Sequence, residues 1–411
     1  MSDYYCIFAG GGVRGTAYLG VIKALEELGI DISGYAGSSV GSIFATLYAV
    51  GYTYEEISDV IFNTSFETFR DLYIPMGKDF GICKGEKLYF TLKKLIESKI
   101  YGEKFNPKGN EPVTFKDIKK DLVIIATNIS YTTFKEYSKS TTPDVEIAYA
   151  IRASISIPGF FKPIWEDDEC LVDGDVINNF PIWLFSKNLI SSSSARILEF
   201  RLEGDRQGRK INSLLDYFSA ILDTSYNIST DILTSTYGQN DQFDIVSIDA
   251  GKTQVIDFNI ADEDKKWLIQ SGYICTKKYF EINLSKKKKF MLDIYRKLEE
   301  HLEQFRLEVA KDKIKDSQVT LGTLSTCLSE SEKFIHKKIY ERILRARKLY
   351  LDNLSSIKFI NVQFLRNKNS LMPRIERSLK HLKAHIEELE ADLYDLSEYD
   401  DTPDNKETVR T

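Results

Sequence analysis

The stretch YYCIFAGGGVRGTAYLGVIKALEELG, Tyr4 to Gly29, decides the fold class. It opens with a short apolar run and passes through glycines at 10, 11, 12 and 15. It continues with Leu19, Ile22, Leu25 and Leu28 at helical spacing, and Gly29 ends it. That order reads as strand, turn, helix. The turn itself fits two chemistries. Gly10-x-Gly12-x-x-Gly15 is the fingerprint of a dinucleotide-binding loop, in which backbone N–H groups approach a pyrophosphate. A glycine nest after a strand equally suits an oxyanion that develops during acyl transfer. The letters of the loop leave both readings open.

A second unit of the same kind follows at once. The short stretch SGYAG leads into SSVGSIFATLYAVG, whose apolar residues recur at helical spacing up to Gly51, a C-cap. Further on, DLVIIATN (121–128), RILEFRL (196–202) and DIVSID (244–249) read as buried strands. Strands alternating with helical segments predict an α/β fold with a mostly parallel central sheet.

The whole chain sets wider bounds. Its 411 residues, 43% apolar and 28% charged, suffice for one large domain and a smaller one. A net charge of −6 argues against a nucleic-acid partner, which a basic domain would announce. Five scattered cysteines (Cys6, Cys83, Cys170, Cys275, Cys327) without a CxxC pair encode neither a disulfide framework nor a zinc ribbon, and read as free thiols in a reducing compartment. The N-terminus lacks a signal-peptide pattern and no apolar run reaches the ~20 residues of a membrane span. The expected location is cytoplasmic, with peripheral contact at membranes.

The sharpest motif is Gly37-Ser38-Ser39-Val40-Gly41, a G-x-S-x-G between a short strand and a helix. In that context a tight turn exposes Ser39 Oγ, and the helix N-terminus favours negative charge beside it. A serine nucleophile needs a base, and all four histidines, His301, His336, His381 and His385, lie in the C-terminal region. A Ser-His-Asp triad within the α/β region is therefore excluded, which leaves a lysine or a carboxylate. CLVDGDVINNFP, 170–181, offers Asp173 at a strand end, although an Asp-Gly pair alone also fits a plain β-turn.

GGGVRG at 10–15, GSSVG at 37–41 and DGD at 173–175, in that order, resemble the patatin-like phospholipases. AIRASISIPGFFKPI (150–164) and NNFP (178–181) resemble the stretches flanking the acid in that family. The resemblance is clear over roughly residues 4–190 and weaker to about 283. It implies a three-layer sandwich and a Ser-Asp dyad without metal or cofactor. In that dyad Ser39 attacks the ester carbonyl and Asp173 accepts its proton. It further implies an oxyanion loop of Gly10, Gly11, Gly12, Arg14 and Gly15, with Arg14 bracing it, an elbow flanked by Gly37 and Gly41, and an acid motif completed by Gly174 and Asp175. Asp175 departs from the family's Gly or Ala, and is expected to point to solvent. The implied substrate is a membrane phospholipid or lysophospholipid. A soluble acyl ester or thioester, a nicotinamide-dependent oxidoreductase and a regulated effector module acting through its C-terminal helices are the alternatives.

Residues 1–285 are thus expected to form the hydrolase domain, 286–400 an all-α region with coiled-coil character, and 401–411 a disordered tail. Ile375, Leu379, Leu382, Ile386, Leu389, Leu393 and Leu396 follow a coiled-coil seam, and Ile294, Leu298, Leu302, Phe305 and Val309 are spaced alike. Such a seam packs within the chain, or on a second copy or a partner protein. Phe160, Phe161, Trp165 and Trp183 are candidates to line an acyl pocket. The Lys286–Lys289 run offers contact to anionic headgroups or a solvated charge run. His381 and His385 read as exposed helix residues rather than a metal pair, and EDDE at 166–169 as a surface turn.

Overall fold

The structure, a computed structural model, describes residues 4–176, 196–204, 243–311, 313–331, 341–345, 347, 348 and 362–398, with isolated positions between 211 and 224. Trp183, the NNFP stretch, His336 and the tail from 401 lie outside the described residues. The chain divides into two compact units, Met1–Tyr279 and Phe280–Thr411, with the boundary inside the helix Asp262–Ala310.

The first unit is built on an eight-stranded sheet. Its parallel part runs β10 (Phe243–Asp249), β9 (Arg196–Glu203), β1 (Tyr4–Phe8), β2 (Ile32–Ser38) and β4 (Asp121–Asn128). β5 (Thr133–Ser138), β7 (Ile164–Glu166) and β8 (Glu169–Val172) add antiparallel pairings beyond β4. The 3-residue strands β3 (Gly81–Cys83) and β6 (Gly159–Phe161) pair separately. Alternation along β1 sends Cys6 and Phe8 to one face and Ile7 to the other, and all three are fully buried. Ile7, Ala36, Val123, Ile125, Ile197 and Phe243 form the core on the second face. A parallel sheet buried on both faces explains why these strands read as near-continuous apolar runs.

Helices α1 (Ala17–Glu27), α2 (Val40–Ala49), α3 (Tyr54–Asn63), α4 (Glu86–Tyr101) and α5 (Ile147–Ser154) follow in chain order. Phe8 stacks on Phe200 of β9 and meets the edge of Tyr18 of α1, whose hydroxyl donates to Ala9 O at 2.7 Å. The EDDE stretch is the β7–β8 turn: Asp167 and Asp168 both have positive φ (45° and 70°), as a two-residue type I′ hairpin requires.

One register relation positions the site. β4 pairs with β2 up to Ser38↔Ile125, and with β8 at Thr127↔Val172 and Asn128↔Leu171, while β5 occupies its other edge. β2 runs parallel to β4 and β8 antiparallel to it, so the two share one edge of β4 head to head. Their C-terminal ends converge on Ala126, which brings Ser39 and Asp173 together.

In the second unit, Leu298, Leu302, Phe305 and Val309 bury with Leu321, Leu324 and Leu328 of the helix Ile314–Ser331, with Ile343, and with Leu371, Ile375, Leu379, Leu382 and Ile386 of the helix Val362–Glu398. The seam positions described there are filled by the chain's own helices. The lysine run sits inside the helix Asp262–Ala310, with Lys289 exposed. No helix among the described residues is long and apolar enough to cross a membrane.

Candidate active site

Ser39 stands between β2 and α2 with φ 48° and ψ −132°, a conformation that costs a non-glycine residue strain of order 1–3 kcal/mol. The surroundings hold it there. Its amide donates to Ser154 Oγ at 2.9 Å, whose hydroxyl donates in turn to Ile125 O at 2.6 Å. Ser42 Oγ closes the first turn of α2 on Ser39 O at 2.6 Å. Gly41 allows α2 to start this close to the sheet, because a Cβ there would fall 2.0 Å from Phe8 O, and one on Gly37 would meet the Gly41 backbone at 2.5 Å.

Ser39 Oγ donates to Asp173 Oδ2 at 2.6 Å. Asp173 is 1% exposed, its amide donates to Ser156 O at 2.9 Å, and its Oδ1 accepts from the Asp175 amide at 2.9 Å. The carboxylate therefore has both oxygens engaged, one by the Ser39 hydroxyl and one by the Asp175 amide. Burial, and then the charge of Asp175, hold the Asp173 carboxyl well above the usual carboxylate range. Ser156 is itself gripped by Arg152, whose Nη1 donates to Ser156 Oγ at 2.7 Å while Nη2 donates to Lys162 O at 2.7 Å.

Asp175 corrects the expectation of a solvent-facing acid. Gly174 packs against Ile125 O and Ser38 Cβ, which turns the chain inward. The Asp175 carboxylate then accepts from Ser38 Oγ and from the Gly10 amide, in the field of Arg201. A Cβ on Gly10 would fall 1.5 Å from Asp175 Oδ2, so the glycine is what admits the carboxylate. Burial pushes Asp175 up to about 6, with Ser38, Arg201 and Gly10 opposing the rise. Arg201 is 2% exposed and pairs with the fully buried Glu199 at 2.6 Å.

The glycine loop is correspondingly divided. The Gly10 amide is committed to Asp175, and Gly15 gives room to Val40, whose Cγ2 a Cβ at 15 would meet at 2.5 Å. Arg14 Nε donates to Thr253 O at 2.6 Å, and the Val13 amide to Val255 O at 3.0 Å. Gly11 (φ 142°) and Gly12 (φ 59°) adopt left-handed backbone, and among the described residues their amides and that of Val40 have no acceptor. Gly12 and Val40 line the same cavity as Ser39, at the N-terminus of α2, where backbone amides favour negative charge. Val40 was not singled out from the sequence. Its signal was its place directly after the serine of the elbow, where such amides recur.

From Ser39 a cavity of about 140 Å³ extends between α2, α3 and α4. Gly12, Ser39 and Val40 stand at one part of its wall; Phe44, Ile61, Phe69, Leu92 and Phe161 are among the apolar side chains of the rest. Of the four aromatic residues expected there, Phe161 lines the cavity and Phe160 backs it by stacking on the lining Phe258 at 5.0 Å. Trp165 does not line it; its Nε1 donates to Lys78 O at 3.1 Å.

The sequence model of the family described as patatin-like phospholipase matches residues 7–186, a span that contains Ser39, Asp173 and the glycine loop. The chain carries a patatin-like phospholipase domain. It is a hydrolase, and the dinucleotide reading of the glycine loop is set aside. Among its relatives is an uncharacterized protein of Acanthamoeba polyphaga mimivirus, 28% identical over 274 residues, which are 64% of this chain and 89% of that one. A protein of Invertebrate iridescent virus 6 named "Probable lipid hydrolase 463L" is 30% identical over 43% of this chain and 61% of its own length. Among solved structures, VipD from Legionella pneumophila aligns over 92% of this chain and 90% of its own, at 16% identity and a TM-score of 0.49. That likeness is too distant to bear on the site. The patatin-like domain makes the chain a lipid hydrolase built on a mostly parallel sheet.

Proposed function

We propose that this chain cleaves fatty-acyl esters of phospholipids or lysophospholipids, with Ser39 as nucleophile and Asp173 as proton acceptor, in a hydrolase domain formed by the first unit. The observation that carries the reading is the 2.6 Å hydrogen bond from Ser39 Oγ to a buried carboxylate at an apolar cavity. Ser39 Oγ attacks the ester carbonyl carbon as its proton passes to Asp173 Oδ2. The carbonyl electron pair becomes the oxyanion, facing the amides of Gly11, Gly12 and Val40. Each such donor is worth about 2.7–4 kcal/mol in comparable sites.

Collapse of the tetrahedral intermediate breaks the ester C–O bond. The departing alcohol takes the proton from Asp173 and leaves an acyl group on Ser39. Water then repeats the sequence with its proton on Asp173, releasing the fatty acid and restoring Ser39. A carboxyl held above its usual range suits this exchange, because a stronger base accepts the serine proton more readily. The apolar walls favour a long acyl chain over a short one. Fatty-acid release from phospholipid vesicles tests the reading: the parent protein releases fatty acid and Ser39→Ala does not. Equal release by the two would exclude it.

A further inference from the structure

The segment between Phe69 and Leu88 presents apolar side chains to solvent. Leu72 is 61% exposed, Ile74 87%, Met76 78% and Phe80 61%, a density that a surface without a partner does not keep. The segment is a built hairpin. Leu72 bridges Cys83 in antiparallel register, and the Tyr73 amide donates to Ile82 O at 3.0 Å. At its tip the Met76 amide donates to Asp79 Oδ2, and Lys162 Nζ pairs with Asp79 Oδ1 at 2.7 Å.

Both aspartates of this segment are engaged. Asp79 is held by Lys162, and Asp71 accepts from the amides of Gly85, Glu86 and Lys87. Lys78 at the tip is exposed and reaches the exposed Asp168 at 3.5 Å, and Lys84 and Lys87 are exposed on the returning arm and the first turn of α4, on either side of Glu86. The roots of the hairpin belong to the acyl cavity, since Phe69 and Leu88 both line it. So does Phe161 of β6, the strand that pairs with β3 on the returning arm.

We propose that the tip from Leu72 to Phe80 docks on a lipid bilayer bearing anionic headgroups, its apolar side chains entering the headgroup boundary and its lysines meeting the phosphates. The inference rests on the reading of the site as a lipid hydrolase. It places the cavity that takes the acyl chain at the surface from which the chain is drawn. Apolar insertion and attraction to anionic lipid then act together.

The test uses the full chain carrying Ser39→Ala, so that vesicles are not consumed, with phosphatidylcholine vesicles with and without phosphatidylglycerol. Binding is expected to be stronger to the anionic vesicles and to weaken with salt. Adding Ile74→Glu and Met76→Glu is expected to lower binding by about tenfold or more, because two large side chains are no longer buried. In the active protein the same pair is expected to abolish most hydrolysis of vesicle phospholipid and to spare a soluble short-chain ester. Equal vesicle binding with and without the pair would overturn the proposal and point to a protein as the occupant. Equal loss on both substrates would overturn it as well, as a structural effect. Failure of the parent to hydrolyse any ester would instead refute the hydrolase reading, and vesicle binding by the Ser39→Ala chain would still decide the docking.

Discussion

Asp175→Asn removes one charge beside Asp173 and retains one oxygen, enough to accept from Ser38 Oγ. In the folded protein the Asp175 carboxyl is pushed up from 3.8 to about 6. That gap corresponds to about 3 kcal/mol. The folded-state value is the higher one, so the neutral carboxyl favours the fold and the carboxylate opposes it. The contribution is fully present below 3.8 and lost as pH rises through about 6. About 1 kcal/mol of it is already gone near pH 4.5, so the variant's advantage over the parent grows by about 2 kcal/mol between pH 4.5 and pH 8. Urea denaturation of both proteins at the two pH values measures this directly. The same substitution acts on the reaction. The charge of Asp175 is the second cause, after burial, of the raised Asp173 carboxyl. Its removal lowers Asp173 toward the ordinary range, and the acid limb of kcat/KM on a soluble ester moves to lower pH. A stability difference that does not change with pH, or an acid limb that stays or moves upward, would refute the coupling.

Three further substitutions probe the frame. Gly10→Ala sets a methyl 1.5 Å from Asp175 Oδ2, expels the carboxylate from its seat and leaves Ser38 Oγ without its acceptor. Denaturation should register about 1–3 kcal/mol of lost stability, with ester hydrolysis falling as the loop shifts. Leu92→Trp on α4 fills the cavity, so the ratio of long-chain to butyryl ester hydrolysis falls by about tenfold or more; an unchanged ratio would place the acyl chain elsewhere. Arg152→Met deprives Ser156 Oγ and the carbonyls of Lys84 and Lys162 of their shared donor, and should cost about 3 kcal/mol in urea denaturation.

Much of this fold was legible in the chain because buried parallel strands leave compact apolar runs. The runs at 121–128, 196–202 and 244–249 lie in β4, β9 and β10. The elbow was legible because a strand, a small-residue turn and a helix are local events. What the sequence did not disclose depends on residues brought together by the sheet. Asp175 was expected outside, yet the packing of Gly174 on β4 turns it inward, a contact between positions 125 and 174 that no local pattern encodes. Ser154, which holds the Ser39 amide, lay in a stretch noted only for its resemblance. The cavity draws on α2, α3 and α4 together, so the aromatic residues near Asp173 in sequence gave only part of its wall. The seam at 375–389 was visible as a pattern, and its filling by the chain's own helices was not.

The proposed dyad makes Ser39 a nucleophile activated by Asp173. Treatment with a fluorophosphonate followed by peptide mass spectrometry tests it most directly. A single adduct is expected on the peptide containing Ser39, abolished in Ser39→Ala and reduced by orders of magnitude in Asp173→Asn, which keeps its shape but cannot take the proton. An adduct on another serine, or undiminished labelling of Ser39 in Asp173→Asn, would contradict it.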